Sequence, residues 1–387
     1  MSAAPRRSWP VRRILLALLA TLVLVTGWSL GHALTAPGGG TVSERAAEWA
    51  RDHYLGPLVT LGEWVSYEPP KVGGKPSFAL TGPSVPAGRR DASLVGPSSP
   101  AARTDPAGLA SSLIPHRLAS PAGKPLHGEG AWRVLGSVHG VPAIFGTYLR
   151  PDKVHTSYVA GIVSMNPRLL RFRLRPGAQD PGPGQWRAQP TIPLGHRRGL
   201  LATFNGGFKI ASSGGGFYLN GATRGTLKKG AASLVYYRDG QVTVGVWGRD
   251  VRKTPQVAGV RQNLRLIVDH GAVPASVDSD VQANWGATLG GGYYVWRSGV
   301  GVTRDGRVIF VYGPALDVRT LAELLRRAGC VRAMQLDINP DWMSFMYYLP
   351  RHHRADPTPV NLLPDQVQSA ERYYAISNRD FTAVFAR

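Results

Sequence analysis

An uncharged apolar stretch from Ile14 to Gly31 constrains this chain more than any other feature of its sequence. As a helix, it would extend on the order of 27 Å at ~1.5 Å per residue, close to the thickness of a hydrocarbon core. Four arginines precede it: Arg6, Arg7, Arg12 and Arg13. Because positive charge stays on the cytoplasmic side, we expect a cytoplasmic N-terminus and an exported remainder.

The stretch fits two kinds of targeting segment. It is either an uncleaved signal anchor or a signal peptide cleaved near Gly31-His32-Ala33. We expect the anchor, with residues 1–13 as a cytoplasmic basic tail and residues 14–31 as the transmembrane helix. The chain is then a single-pass plasma-membrane protein with an extracellular C-terminal domain, or a secreted protein if the signal is cleaved.

The charge balance predicts an anionic partner. Lys and Arg number 45 against 24 Asp and Glu, a formal net charge of +21. An exported chain meets acidic lipids and envelope polymers rather than DNA or RNA, so we expect an anionic glycopolymer and no nucleic acid. The single cysteine, Cys330, excludes an intramolecular disulfide and any multi-cysteine zinc site.

Two segments separate the apolar stretch from the main domain. Residues 41–67 predict a short juxtamembrane helical segment, which starts with a capping box at Thr41 to Glu44 and stops at Gly56-Pro57. Residues 68–130 are rich in Gly and Pro and carry no periodic apolar pattern. That composition predicts an extended linker, and ordered wrapping around the next domain is the alternative.

The domain itself is predicted to span residues 131–387. Asp239-Gly240 and Asp305-Gly306 each lie between β-rich runs, and Asp-Gly suits the positive φ angles of a tight hairpin. One amphipathic helix is predicted, capped by Asp317 and ended by Gly329. Many strands with few helices indicate an α+β domain with a mixed or mainly antiparallel sheet.

Two glycine-containing clusters are candidates for ligand binding. In the first, Asn205-Gly206-Gly207 follows an apolar run, so an amide that donates and accepts hydrogen bonds stands beside an open backbone. In the second, Gly290-Gly291-Gly292 precedes Arg297, whose guanidinium suits a phosphate. The structural alternatives are an ordinary Asn-Gly turn and a flexible loop beside a surface arginine.

The third cluster places a carboxylate, Asp337, where an apolar strand ends. Functional groups often occupy such positions, although a capping or buried hydrogen-bonded carboxylate is the alternative. Asp337-x-Asn339-x-Asp341 imitates the start of a calcium loop, but Trp342 stands where that loop requires glycine. We therefore predict no metal site and no cofactor, while a divalent cation stays open.

In this order, the three clusters resemble the phosphodiester glycosidase family, over roughly residues 132–385. The matching motifs are Asn205-Gly206-Gly207-Phe208, Leu289-Gly290-Gly291-Gly292, Arg297-Ser298-x-x-Gly301-Val302-Thr303-x-Asp305-Gly306, the helix feeding Leu336-Asp337, and the closing Ser377 to Phe385. The family's Asp-Gly-Gly-Gly-Ser is replaced after Asp337 by Ile-Asn-Pro-Asp. Bulkier and stiffer residues thus stand where the family has a glycine-lined floor.

The resemblance implies a hydrolase that cleaves the glycosidic bond of sugar-1-phosphodiesters. We expect Asp337 to activate water or stabilise the oxocarbenium-like centre, Arg297 to hold the phosphate, and Asn205 to bind sugar hydroxyls. Asp269, Asp278, Asp280 and Asp341 are all candidates for a second carboxylate in the site. The expected substrate-binding residues are Gly206, Gly207, Gly290, Gly291, Gly292, Asn339, Asp341 and Ser344.

Two functions of different class follow. The first is an exported, membrane-anchored hydrolase of glycosyl phosphodiesters in envelope glycoconjugates. The alternative is a catalytically inactive basic module that binds anionic cell-envelope glycopolymers, which the altered segment after Asp337 and the charge of +21 favour.

Overall fold

A computed structural model describes residues 9–35, 42–81, 114–279, 282–286, 293–350 and 356–387. The chain divides into two compact units, Met1–Ser66 and Tyr67–Arg387.

The first unit is helical. It contains α1 (Trp9–Thr35), α2 (Val42–Ala50) and α3 (Gly56–Val65). Within α1, Val11–Thr35 is long and apolar enough to cross a membrane, with a mean hydropathy of 2.2. These properties fit the predicted anchor, and a signal sequence shares them.

Gly56-Pro57 does not end the helical segment as predicted. The helical path bends at His53 and Tyr54, where Tyr54 has a φ of 65°, and a new helix begins at Gly56. Proline is compatible with the first turn of a helix because the amide it lacks would have no intrahelical partner there. The dipeptide therefore starts α3 and does not stop α2.

The second unit is built mainly of β-strands. Its strands are β1 (Arg133–Val138), β2 (Val141–Leu149), β3 (Ala160–Met165), β4 (Leu170–Arg175), β5 (Leu200–Asn205), β6 (Phe217–Leu219), β7 (Ala222–Arg224), β8 (Ala232–Tyr237), β9 (Val242–Val246), β10 (Val257–Asn263), β11 (Leu266–Val268), β12 (Val295–Thr303), β13 (Val308–Leu316), β14 (Cys330–Gln335), β15 (Phe345–Leu349), β16 (Thr358–Asn361) and β17 (Phe381–Ala386). Its helices are α4 (Ile210–Ser213), α5 (Gln282–Trp285) and α6 (Val318–Arg327).

The strands form three sheets. The first has the order β1-β2-β3-β13-β12-β14-β11, the second β7-β6-β10-β8-β9, and the third β16-β15-β5-β17-β4. The strand pairs within these sheets are antiparallel. The predicted α+β fold with mainly antiparallel sheet and few helices is thereby confirmed.

The local sequence signals form the expected elements. The turn at Asp239-Gly240 joins β8 to β9, and the turn at Asp305-Gly306 joins β12 to β13. Both glycines have a φ of 87°, which glycine adopts at little cost. The carboxylate of Asp317 accepts the amide of Thr320 at 2.6 Å, a cap that contributes about 1 kcal/mol to helix stability.

Apolar layers hold the sheets and α6 together. Leu321, Leu324 and Leu325 of α6 are fully buried in one cluster with Ile309 and Val311 of β13. Each such side chain contributes on the order of 1.5–3 kcal/mol by leaving water. On the other side of the first sheet, aromatic rings meet the third sheet, and the Phe204 and Phe310 centroids lie 5.0 Å apart.

Both described ends of the segment predicted as linker pack against the second unit. That unit begins at Tyr67, earlier than the predicted Ala131. Leu80 is buried in the core, and Glu129, which is inaccessible to solvent, pairs with Arg150 at 3.0 Å. Gly and Pro specify irregular backbone, and irregular backbone can still pack. Residues 82–113 lie outside the described part.

Candidate active site

The ends of several strands meet around Asn205, the last residue of β5. Its Nδ2 donates to Ser298 Oγ at 3.0 Å and to the Gly206 carbonyl at 2.8 Å. Its Oδ1 accepts the Ser344 amide at 3.2 Å. The side chain is 3% exposed, so its hydrogen bonds join β5, β12 and the segment before β15 inside the protein. Asn205 therefore holds these neighbouring segments in position.

Gly206 is required by close packing. A Cβ at this position would lie 2.1 Å from Asp380 Oδ2, which is far inside contact distance. The Gly206 amide also donates to the Asp380 carbonyl at 2.9 Å. At Gly207, a Cβ would lie 3.3 Å from the side-chain carbon of Asn263. Gly206 therefore lets the start of β17 approach the end of β5, and Gly207 packs closely against β10.

Asp337 provides the central carboxylate. It follows β14, and its backbone amide donates to Ser298 Oγ at 3.1 Å. Its Oδ1 accepts the amides of Ile338 at 2.8 Å and Asn339 at 3.1 Å. Burial raises the pKa of Asp337, and the charge of Arg379 and the two amide hydrogen bonds only partly oppose that rise. A fixed, buried carboxylate of raised pKa is a stronger base than an exposed one.

Arg379 is the cation beside this carboxylate. Its Nη2 lies 3.5 Å from Asp337 Oδ2 and donates to the Gly207 carbonyl at 3.1 Å. Its guanidinium carbon also lies 5.2 Å from the centre of the Trp342 ring, a cation–π contact that restricts the side chain. The sequence motif at Ser377 to Phe385 contains Arg379, but nothing in its spacing assigned it to the site.

A second ionic group lies behind this pair. Arg261 of β10 donates from Nε to Asp380 Oδ2 at 3.0 Å and from Nη2 to the Phe208 carbonyl. Its Nη2 is also 3.8 Å from Asp180 Oδ2, and Asp180 lies 3.9 Å from Arg379 Nε. Asp180, Asp337 and Asp380 thus share two arginines in the interior.

The structure places Arg297 in different surroundings. Its guanidinium donates to the carbonyls of Leu316 and Tyr293 and to Gln335 Oε1. Burial lowers the pKa of Arg297 to about 10, and the main charges that oppose this are Asp317 and Tyr67. The charges that act on Asp337 are instead those of Arg379 and Arg261. The described contacts therefore group Arg379, rather than Arg297, with Asp337.

The remaining predicted binding residues differ in their surroundings. Ser344 is buried, and its Oγ lies 2.8 Å from the hydroxyl of Tyr373. Asn339 and Asp341 are half-buried, and Asn339 Oδ1 accepts the Asp341 amide at 3.0 Å. Gly290, Gly291 and Gly292 lie outside the described residues.

The carboxylates considered as a second acidic group fall elsewhere, apart from Asp341. Asp269 pairs with Arg249, and Asp278 pairs with Arg319, in both cases near the surface. Asp280 lies outside the described residues. Asp180 and Asp380 are the carboxylates that the fold brings near Asp337. Over the described ranges, no group of three or more His, Cys, Asp or Glu is arranged to hold a metal ion.

The antiparallel sheets of this fold bring a buried carboxylate, Asp337, and a guanidinium, Arg379, together at their strand ends. Residues 198–337 match the family model described as phosphodiester glycosidase. The resemblance predicted from the motifs is confirmed, and the match supports a glycosidase. It includes Asn205, Gly206, Gly207, Arg297 and Asp337, and it ends before Arg379.

Three solved structures are similar to this chain at low identity. A zebrafish N-acetylglucosamine-1-phosphodiester alpha-N-acetylglucosaminidase catalytic domain, auto-inhibited by its pro-peptide, is 13% identical, with 66% of this chain and 87% of that chain covered and a TM-score of 0.42. A hypothetical protein from Synechocystis is 13% identical, with 65% and 64% covered and a TM-score of 0.35. A putative exported protein from Burkholderia pseudomallei is 12% identical, with 59% and 74% covered and a TM-score of 0.28. None of the curated proteins matches the sequence.

Proposed function

We propose that this chain is an exported, membrane-anchored hydrolase that cleaves the glycosidic bond of sugar-1-phosphodiesters in envelope glycoconjugates. The observation that carries the proposal is the pairing of Asp337, the last residue of the segment that matches the family model, with Arg379 at 3.5 Å. The apolar helix Val11–Thr35 and the four arginines at or before its N-terminal end support export and anchoring.

The reaction breaks the bond between the anomeric carbon and a phosphate oxygen. Water supplies a hydroxyl group to the sugar and a proton to the products, and the phosphate leaves as a monoester. Because this leaving group already carries negative charge well, it needs less protonation than an ordinary alcohol does. A cation for the phosphate and a carboxylate for the water or the oxocarbenium-like carbon are the essential groups.

Asp337 supplies the carboxylate in this proposal. Two backbone amides donate to Oδ1 of Asp337 and fix its position. The direction of Oδ2 is thereby fixed as well. Burial raises the pKa of this carboxyl, so its ionised form removes a proton from water more readily than an ordinary aspartate would. The charge of the ionised form also stabilises positive charge that develops at the anomeric carbon.

Arg379 takes the role of phosphate ligand that the sequence suggested for Arg297. The carbonyl of Gly207 and the ring of Trp342 hold its guanidinium in place. A planar guanidinium binds phosphate oxygens through two parallel hydrogen bonds, a geometry that lysine cannot reproduce. Arg261, Asp380 and Asn205 act as positioning residues, because their contacts fix the segments that carry Gly207 and Asp337.

One observation favours the inactive binding module instead. Ile338, which stands where the family has glycine, lies against Gly286, and a Cβ on Gly286 would be 2.9 Å from the Ile338 Cδ1. The floor after Asp337 is therefore filled by an apolar side chain. In an active enzyme, this filling restricts which sugar enters. If the chain is instead the inactive binding module, the Ile338 side chain prevents turnover, and the basic surface still binds anionic glycopolymers.

The test is an assay for free sugar released from a panel of sugar-1-phosphodiesters by the purified full-length chain. Asp337→Asn should abolish release, and Arg379→Lys should raise KM more strongly than it lowers kcat. Asp305→Asn and Arg304→Lys are matched controls on an exposed hairpin turn, where Asn-Gly preserves the turn type. Release that is equal in wild type and Asp337→Asn contradicts the proposal, and no release from any panel member favours the binding module.

A further inference from the structure

A groove of about 560 Å³ lies beside β4, lined by that strand and by parts of β8 and β10. None of the residues that line it belongs to the Asp337 site. Five arginines line it, and its acidic residue is Asp239. The arginines are Arg171, Arg173, Arg175, Arg187 and Arg238. The groove therefore concentrates positive charge that the proposed reaction does not use.

Three of these arginines form a row along one strand. Arg171, Arg173 and Arg175 alternate with Leu170, Phe172 and Leu174, whose side chains are buried. Alternate residues of a strand share a face and lie about 6.6 Å apart, so the row extends for about 13 Å. β4 is the last strand of its sheet, and the turn after β8 lies against its free side. Such a row matches a ligand with repeated charges better than a single ion.

The opposite wall is held tightly against this row. The Phe172 amide donates to the Gly240 carbonyl at 2.7 Å, which ties the turn after β8 to β4. A Cβ on Gly240 would lie 2.8 Å from the Cβ of Arg171, so glycine is needed for this approach. The Nε of Arg238 donates to the Pro255 carbonyl at 2.7 Å. The groove is thus a formed feature of the fold.

The arginine row lacks acidic partners. Elsewhere on the surface, Arg249, Arg319 and Arg326 each pair with a carboxylate within 3 Å. Among the described residues, Arg171, Arg173 and Arg175 form no ion pair, and the buried Nε of Arg175 has no hydrogen-bond partner. Burial and the charge of Arg173 lower the pKa of Arg175. An anion in the groove would relieve the repulsion between the neighbouring guanidinium groups.

We propose that this groove binds a linear polyanion of sugar or polyol units joined by phosphodiesters. Guanidinium groups recognise phosphate oxygens in a bidentate way, and the row along β4 can engage successive phosphates of one chain. Nucleic acid fits the groove less well. Of its phenylalanine and tyrosine rings, Phe172 and Tyr236 are buried and Tyr237 is half-buried, whereas single strands are held by exposed rings on which bases stack. This binding does not depend on catalysis at Asp337.

The test measures binding of fluorescent poly(glycerol phosphate) to the full-length chain in detergent micelles by anisotropy. The variant is Arg171→Gln with Arg173→Gln, and the matched control is Arg265→Gln with Arg304→Gln, which removes the same charge from exposed sites off the groove. We expect the groove variant to bind about tenfold more weakly and the control to bind as wild type does. The slope of log affinity against log salt should fall by roughly 0.7 for each groove arginine removed.

Additional variants and ligands distinguish polymer binding in the groove from catalysis at Asp337 and from nucleic-acid binding. Asp337→Asn should bind the polymer normally, and the groove variant should still hydrolyse any short sugar-1-phosphodiester that wild type hydrolyses, so a failure of either proposal is visible by itself. If the double variant does not fold, Arg187→Gln on the surrounding loop tests the same groove. Equal losses in groove and control variants, no binding by wild type at low salt, or tighter binding of single-stranded DNA of equal charge would each overturn the inference.

Discussion

The Nε of Arg261 lies 3.0 Å from Oδ2 of Asp380, and each side chain exposes 1% of its surface. The two residues come from β10 and from the residue before β17, so their contact joins the second sheet to the third. Arg261 also donates to the Phe208 carbonyl. The neighbouring Gly207 carbonyl accepts a hydrogen bond from Arg379. The stability of the interior and the geometry of the site therefore depend on the same guanidinium.

Replacement of Arg261 by methionine should destabilise the second unit. The change leaves Asp380 buried without its partner, and loss of one member of a buried pair costs about 3–5 kcal/mol. Thermal unfolding of the full-length chain measures the effect. Arg265→Met, an exposed position in the same stretch, is the control and should change stability little. Equal melting of the two variants would mean that the buried pair contributes no stability.

Asp337 should make stability depend on pH in a definite direction. Burial raises its folded-state pKa above the ordinary value, so the folded protein favours the protonated form. The resulting stabilisation is complete below the unfolded pKa and is lost as the pH rises through the raised, folded value. Relative to Asp337→Asn, wild type should therefore lose stability over that window. A wild type that instead loses stability relative to Asp337→Asn on acidification would indicate a lowered pKa.

Asn205→Ala should weaken the junction of the strand ends. It removes the acceptor for the Ser344 amide and the donor to Ser298, both inside the protein. An unsatisfied buried polar group costs about 1–3 kcal/mol, and thermal unfolding should show a loss of at least this size. Asn339→Ala, at a half-buried position, should cost less. The reverse order of the two variants would contradict the assignment of Asn205 as the positioning residue.

Gly206→Ala should disturb the site through packing alone. The new methyl group would fall 2.1 Å from Asp380 Oδ2, so the start of β17 must shift and Arg379 with it. Overpacking of this kind costs about 1–3 kcal/mol, and we expect a loss of activity larger than the loss of stability suggests. Gly195→Ala, where a Cβ meets nothing within 4 Å, serves as the reference. Full activity in Gly206→Ala would show that β17 is not coupled to the site.

Local sequence signals predicted the parts of the fold that local chemistry determines. The Asp-Gly hairpins and the cap at Asp317 depend on a few adjacent residues, and each has the expected geometry. The position of Asp337 after β14 also follows from an apolar run that ends in a carboxylate. These features need no knowledge of distant residues.

The partners of Asp337 could not be obtained in the same way. Arg379 is 42 residues away in sequence, and Arg261 and Asp380 are 119 residues apart. Their meeting depends on β17 lying beside β5 and on the position of β10, which one sequence does not determine. Arg297 carried the stronger local motif, yet its guanidinium donates to Leu316, Tyr293 and Gln335. The packing of the predicted linker, residues 68–130, could not be obtained either, since composition does not reveal that Leu80 and Glu129 are buried.

The most direct test of the account identifies which bond breaks. The full-length chain would hydrolyse a sugar-1-phosphodiester in water enriched in ¹⁸O, and mass spectrometry would read the label in the phosphate monoester. Attack at the anomeric carbon, with Asp337 assisting and Arg379 holding the phosphate, predicts a phosphate product free of ¹⁸O. Label in the phosphate would mean that water attacks phosphorus, and the proposed glycosidase chemistry would then be wrong.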